Sequence, residues 1–329
     1  MHQIVIVREN FDLSGILYYR IGGKARFLLE AVSEQDVLQA LDFVRANGID
    51  RLVVVGLGSN LLFRDDPFDG AVLRISSPAD KRSRRSLIDL GDGRIAAFAG
   101  LELDEVIGFG FSRGYVGLEW AGGLPGTVGA AVRGNVGAFG GEIREVLEGA
   151  TILEIGPTSV QRRLLSNQEL GFAYRDSTVK RNRRLLVVSA IFKLQPAEEA
   201  TVIEARRLYH SHIDYRQQNH PMEYPTCGSV FKNVERRDQV ERIVTEWPDI
   251  RDLVDGRWHG KVSMGYAINR LGLAGHQIGM AQISRKHSNF IVNLGGASFA
   301  DVLGIIETVE QRFAETFGFT PETEVEIIR

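Results

Sequence analysis

Cys227 is the only cysteine, so no intrachain disulfide can form, and a reducing compartment is expected. No apolar run approaches the length of a membrane-spanning helix. The opening Met1-His2-Gln3-Ile4-Val5-Ile6-Val7 has neither the basic start nor the long apolar stretch of a signal peptide, so the expected location is cytoplasmic. A basic surplus is missing too: the formal net charge is −3, where a nucleic-acid-binding chain usually carries a positive excess. Neither nucleic acid nor a membrane is an expected partner. The local basic run Lys81-Arg82-Ser83-Arg84-Arg85 reads as a solvated hairpin tip. His210 and His212 lack both a spaced partner pair and nearby cysteines, so no metal is expected.

Glycine is what the chain has in excess. It supplies 36 of 329 residues without a collagen period, low complexity or many prolines. That pattern points to specialised backbone conformations rather than disorder. The rest of the composition is ordinary for a globular protein, and the length suits two or three domains.

Ser33 followed by Asp36 predicts a helix start, with Val37, Leu41 and Val44 on one face and Gly48 as the stop. Leu52 to Val55 predicts a strand, and Ala71 to Ile75 another. Between them stands Gly56-Leu57-Gly58-Ser59-Asn60. A Rossmann fingerprint needs a third glycine and a following helix. Here Leu61 takes the glycine position and Asp65-Asp66-Pro67 follows, so that reading is excluded. From Gly117 to Gly141, nine of 25 residues are glycine, and only Glu119 and Arg133 are charged. Strands are predicted at Thr151 to Ile155 and Leu185 to Leu194. A helix from Ala197 to about Arg216 marks the boundary of a smaller second unit. There, Asp238 to Arg270 is helix-like with breaks at Pro248 and Asp255-Gly256, and Lys286 to Asn293 reads as loop then strand. A last helix runs from Ser298 to Gly318, with Val302, Ile305, Ile306 and Val309 on one face. Glu324 to Ile328 alternates as a strand does.

The Gly56 loop and the Gly117–Gly141 segment each read equally well as structural turns. Together they suggest two walls of a phosphate-bearing cofactor site, with backbone amides and Ser59, Asn60 and Thr127 as donors. Tyr174-Arg175 offers a guanidinium whose fork suits a carboxylate or phosphate, the alternative being a surface salt bridge to Asp176 or a neighbouring acid. In Thr226-Cys227-Gly228-Ser229-Val230-Phe231-Lys232-Asn233, Ser229 could donate a proton and Lys232 hold a phosphate, or the cluster could be a turn before a strand. It is no nucleophile elbow, because Cys227 and Phe231 stand where that motif needs glycines.

Seven blocks in order carry a resemblance. They are Tyr19-Arg20-Ile21-Gly22-Gly23, Gly56 to Leu62, Gly117 to Gly129, Tyr174-Arg175-Asp176-Ser177, Tyr224 to Asn233, Lys286-His287-Ser288 and Glu324-Val325. The chain resembles the UDP-N-acetylenolpyruvoylglucosamine reductase family, in its shorter subtype, from about residue 19 onward. The resemblance implies an α+β fold: a vanillyl-alcohol-oxidase-type two-part FAD-binding region and a smaller α+β substrate-binding domain. The implied borders are 1–75, 76–208 and 209–329, with the C-terminal tail returning to the active site.

It also implies an oxidoreductase of cell-wall biogenesis, acting as a UDP-N-acetylmuramate dehydrogenase and serving cell shape and division. NADPH reduces FAD, which then reduces the enolpyruvyl ether of UDP-N-acetylglucosamine to UDP-N-acetylmuramate. Implied flavin contacts are Gly56, Gly58, Ser59, Asn60, Leu61, Ala121, Gly122, Pro125, Gly126, Thr127, Gly129, Gly137 and Gly140. Arg175, Ser229 and Glu324 take the catalytic positions, and Tyr174, Lys232, Asn233 and His287 the substrate contacts. Charge building on the carboxylate side suits Arg175, Ser229 protonates C2, and Glu324 is expected to act protonated or as an orienting group. Partners are then the UDP-sugar and NADPH, and the expected state is a monomer.

No histidine lies between His2 and His210, so the expected FAD is non-covalent. Two departures stand out. Phe139 replaces the family's usual tyrosine in Gly134-Asn135-Val136-Gly137-Ala138-Phe139-Gly140, and the stretch Arg236 to Met264 looks overlong, a surface insertion by default or else a partner contact. The competing readings are a flavin oxidase of the same fold acting on an alcohol or lactone, and a non-catalytic nucleotide-binding module.

Overall fold

The structure is a computed structural model describing residues 6–77 and 86–329, so the basic run at 81–85 and the first five residues lie outside the described residues. The chain divides into two compact units. The first takes in residues up to Phe11, Ala25–Leu57 and Phe68–Arg216; the second takes in Asp12–Lys24, Gly58–Pro67 and Gln217–Arg329.

These borders differ from those expected at 75/76 and 208/209. The reason lies in two early segments that are built into the second unit. Tyr19 is fully buried there and donates its hydroxyl to the Ile291 carbonyl at 2.9 Å. Leu61–Phe63 pairs in parallel with Glu326–Ile328. The later border falls within the helix Glu199–Asn219.

In the first unit, one sheet runs in the order Ile6–Asp12, Lys24–Ala31, Phe68–Ile75, Leu52–Val55. Phe68–Ile75 is parallel to both its neighbours, Lys24–Ala31 and Leu52–Val55. Parallel neighbours need a crossover, and the helix Glu34–Ala46 supplies it. Ser33 caps that helix by accepting from the Asp36 amide, and its apolar face buries Val37, Ala40 and Leu41. A second, antiparallel sheet is ordered Val160–Ser166, Leu147–Ile155, Leu185–Lys193, Arg94–Phe98, Leu87–Gly91. The helices Leu103–Ser112 and Val128–Gly134 pack on its strand Arg94–Phe98.

In the second unit, Gln277–Ile278, Ala281–Ile283 and Ile291–Asn293 form a small antiparallel sheet. The helix Phe299–Phe317 lies on it, started by a reciprocal Ser298–Asp301 cap and stopped at Gly318 with φ of +72°. It buries Val302, Ile305, Ile306, Val309, Phe313 and Phe317.

The stretch 236–264 is not the surface insertion expected from its length. Its helix Arg237–Glu246 places Val240, Ile243 and Val244 on one buried face. Ile250, Val254, Val262 and Met264 join the same core, and a Val234–Val262 backbone bridge closes the excursion. The exposed charges are the outer face of a segment whose inner face is core. Among the described residues, no helix is long and apolar enough to cross a membrane.

Candidate active site

The glycines of the first unit divide by what a side chain would meet. A Cβ on Gly56 would lie 2.5 Å from Thr127 Oγ1, so the two glycine segments are pressed together at this point. On Gly129 it would sit 3.0 Å from the Ala99 Cβ, and on Gly122 only 2.3 Å from the Tyr209 carbonyl oxygen. Gly122 therefore lets the helix Glu199–Asn219 approach, and Arg216 Nε donates to its carbonyl at 2.9 Å. Gly126 and Gly140 are different: a Cβ there would meet nothing within 4 Å. Those two positions offer open space beside bare backbone.

Not every amide in this cradle is available to a ligand. Val128 and Gly129 donate to the carbonyls of Leu101 and Ala99, each at 2.8 Å. Thr127, itself buried, caps the helix Val128–Gly134 by accepting from Ala130 N through its hydroxyl oxygen. Ala121 is buried just before Gly122, and Pro125 brings no amide hydrogen at all. The open backbone at Gly126 and Gly140, with the Thr127 hydroxyl between them in sequence, fits a phosphate-bearing cofactor such as FAD.

Arg175 adopts a left-handed backbone conformation, φ +55°, which costs a non-glycine residue about 1–2 kcal/mol. Its guanidinium lies 5.1 Å from the centre of the Tyr174 ring and donates to the Gly137 carbonyl. Asp176 bonds Arg181 at 2.5 Å. Asn135, fully buried and also left-handed, ties these pieces together: its amide donates to the Ala173 carbonyl at 2.9 Å and to Glu142 at 3.0 Å, and its oxygen accepts from Arg144 N. Sequence reasoning missed this residue, although an asparagine amid small apolar residues was its signal. Phe139 is 44% exposed and lies parallel to the His212 imidazole with ring centres 4.0 Å apart. It also meets Tyr215 edge-on at 5.4 Å.

In the second unit a backbone ladder assembles the other candidates. Ser229 is bridged to Phe290, and Phe231 to Thr323. The Val230 carbonyl accepts from Glu324 N at 2.7 Å, and Lys232 N donates to the Glu322 carbonyl at 2.9 Å. Asn60 joins from the other side: its side-chain amide donates to the Glu324 carbonyl at 3.0 Å, and its own carbonyl accepts from Glu326 N at 3.1 Å. Leu61 continues that contact as the partner of Glu326. Gly58, at φ +69°, turns the loop so closely that a Cβ would lie 2.7 Å from Leu17. Half-buried Ser59 follows it.

Lys232 pairs with Glu322 at 3.0 Å, and the Asn233 oxygen accepts from Met264 N at 3.0 Å. His287 is largely buried, and burial pushes its pKa down, so its ring contributes as a neutral group. Its Nδ1 accepts from Asn289 N at 3.3 Å. Burial pushes the Cys227 thiol up to about 12 and lifts the buried Tyr19 phenol well above its ordinary range. Cys227 is thus an inert core residue.

The comparisons agree with this anatomy. Residues 25–156 match the family model described as an FAD binding domain. Residues 220–328 match that of the C-terminal domain of UDP-N-acetylenolpyruvoylglucosamine reductase. Enzymes of that name are similar along the whole chain: one from Thermotoga petrophila is 36% identical over 309 residues, covering 94% of each chain. One from Synechococcus is 33% identical over 320 residues, covering 97% of this chain and 92% of the relative. The solved Thermus caldophilus UDP-N-acetylenolpyruvylglucosamine reductase superposes with a TM-score of 0.72 at 26% identity, covering 99% of both chains.

The fold is therefore the expected α+β flavoprotein fold of vanillyl-alcohol-oxidase type. The chain belongs to the UDP-N-acetylenolpyruvoylglucosamine reductase family.

Proposed function

We propose that this chain uses NADPH and FAD to reduce UDP-N-acetylglucosamine enolpyruvate to UDP-N-acetylmuramate, a cytoplasmic step of peptidoglycan precursor synthesis. The observation that carries it is a family likeness over nearly the full length, joined to a ladder that seats Glu324 on the residue following Ser229. Bound FAD would supply the hydride chemistry. Gly56, Gly58, Ser59, Asn60, Leu61, Ala121, Gly122, Pro125, Gly126, Thr127, Gly129, Gly137 and Gly140 are the positions proposed to hold it.

Arg175 balances negative charge that builds on the carboxylate side of the substrate's double bond. Ser229 gives a proton to C2, and Glu324 orients or resupplies that proton. Tyr174, Lys232, Asn233 and His287 hold the UDP-sugar. Because Lys232 is already paired with Glu322, an anionic substrate has to draw it away from that carboxylate.

An absorption spectrum of the purified protein tests the reading. Oxidised flavin should bleach with NADPH and return on adding the enolpyruvyl UDP-sugar, but not UDP-N-acetylglucosamine. A flavin that NADPH bleaches and the enolpyruvyl sugar leaves reduced would sink the proposal. The flavin should also separate from the polypeptide on denaturation, because no histidine occurs between His2 and His210. Yellow colour retained by the precipitated chain would contradict that.

A further inference from the structure

We infer that Asn289 is a positioning residue for both Ser229 and Glu324, an inference resting on the reaction proposed above. Asn289 is 4% exposed, and each of its hydrogen-bonding groups toward the ladder is engaged. Its side-chain oxygen accepts from Phe231 N at 3.0 Å, and its side-chain amide donates to the Phe231 carbonyl at 2.9 Å. Its main-chain carbonyl accepts from Val230 N at 2.8 Å. The side chain thus does for Phe231 what a neighbouring strand's peptide group would do.

Such a substitute is needed because strand pairing is interrupted here. Ser229 makes a single bridge to Phe290, and the regular strand begins only at Ile291. Val230 and Phe231 lie between two supports. On one side is Asn289; on the other, Glu324 N and Val325 N both reach the Val230 carbonyl, at 2.7 and 3.3 Å. Removing the Asn289 amide would leave a buried N–H and a buried C=O of Phe231 without partners. The strip would have to move to satisfy them, carrying Ser229 and the backbone anchor of Glu324 with it. Asn289 touches neither reacting atoms nor charge by this account; it sets where two other residues sit.

The test compares Asn289→Leu and Asn289→Asp with the native enzyme in two separate half-reactions. Flavin reduction by NADPH should stay within about threefold. Reoxidation by the enolpyruvyl UDP-sugar should slow about 100-fold, the usual cost of misplacing a catalytic group by about 1 Å. Hydrogen exchange should rise in peptides covering 226–233 and 320–328 in both variants, a readout independent of turnover. Asn289→Asp should recover relative to native as pH falls, since a protonated carboxyl donates and accepts as the amide does.

Equal loss in both half-reactions, or unchanged exchange in those peptides, overturns the inference. Should the leucine variant not fold, the aspartate variant at low and neutral pH decides alone. Failure of the native enzyme to be reoxidised by the enolpyruvyl sugar refutes the proposed function instead, so the two failures are distinguishable.

Discussion

The two units build their functional segments by opposite means. In the first, backbone comes close to other groups because side chains are missing: Gly56 against Thr127, Gly129 against Ala99, Gly137 beside Arg175. In the second, buried or half-buried polar side chains take the place of backbone. Asn289 pairs with Phe231, Asn293 donates to the Tyr19 carbonyl, and Thr226 reaches the Ile291 carbonyl. Glycine tolerates contact but offers nothing in return, whereas asparagine supplies both a donor and an acceptor. The first unit is therefore vulnerable to added atoms and the second to lost hydrogen bonds.

Three experiments press on that contrast, beginning with the largest effect. Ser229→Ala removes a proton donor from the ladder without disturbing its backbone bonds. Reoxidation of the flavin by the enolpyruvyl sugar should fall about 1000-fold while bleaching by NADPH persists. Unchanged steady-state turnover would show that Ser229 is not the donor.

Next comes Gly56→Ala, which adds one methyl group where Thr127 leaves no room. Overpacking of this kind costs about 1–3 kcal/mol, and retained FAD should drop with it. Adding Thr127→Ala removes the two nearest clashing atoms, Oγ1 at 2.5 Å and Cγ2 at 2.9 Å, and should restore part of the stability. Thermal melts of the single and double variants decide whether the two losses are coupled.

The smallest effect is one of pH. Because burial lowers the folded-state pKa of His287, the unfolded chain takes up a proton more readily than the folded one. The resulting stability is complete above the ordinary histidine value of about 6.5 and is lost as pH falls from there through the lowered value. Melting temperature should thus fall more steeply on acidification in the native protein than in His287→Gln. Parallel curves would show that the His287 ring is not held neutral by its surroundings.

Legibility followed the same divide. The helix capped by Ser33, the strand Leu52–Val55 and the helix from Ser298 to Gly318 were readable because capping and periodicity are local signals. The glycine segments were visible too, but their chemistry was not: no pattern separates Gly122, which admits a helix, from Gly126, which faces open space. Family likeness assigned both to the flavin, and only the packing around each glycine tells them apart. Asn135 and Asn289 stayed hidden because their partners lie far along the chain, 38 and 58 positions away. The stretch 236–264 misled for a different reason. Its extra length suggested an insertion, while its core contribution rests on a few apolar residues on one face.

The pairing of Leu61–Phe63 with Glu326–Ile328 also sets a timetable for biogenesis. Asn60 meets the Glu324 carbonyl across a separation of 264 positions. On a ribosome adding about 5–20 residues per second, the loop at Asn60 waits roughly 15–50 s for its partner to be made. Until then the early segments of the second unit are nascent chain without a sheet neighbour, exposed to chaperones and to competing strands. The closing strand is thus the last partner this loop receives: a polypeptide released before it is translated lacks the contact that seats Asn60.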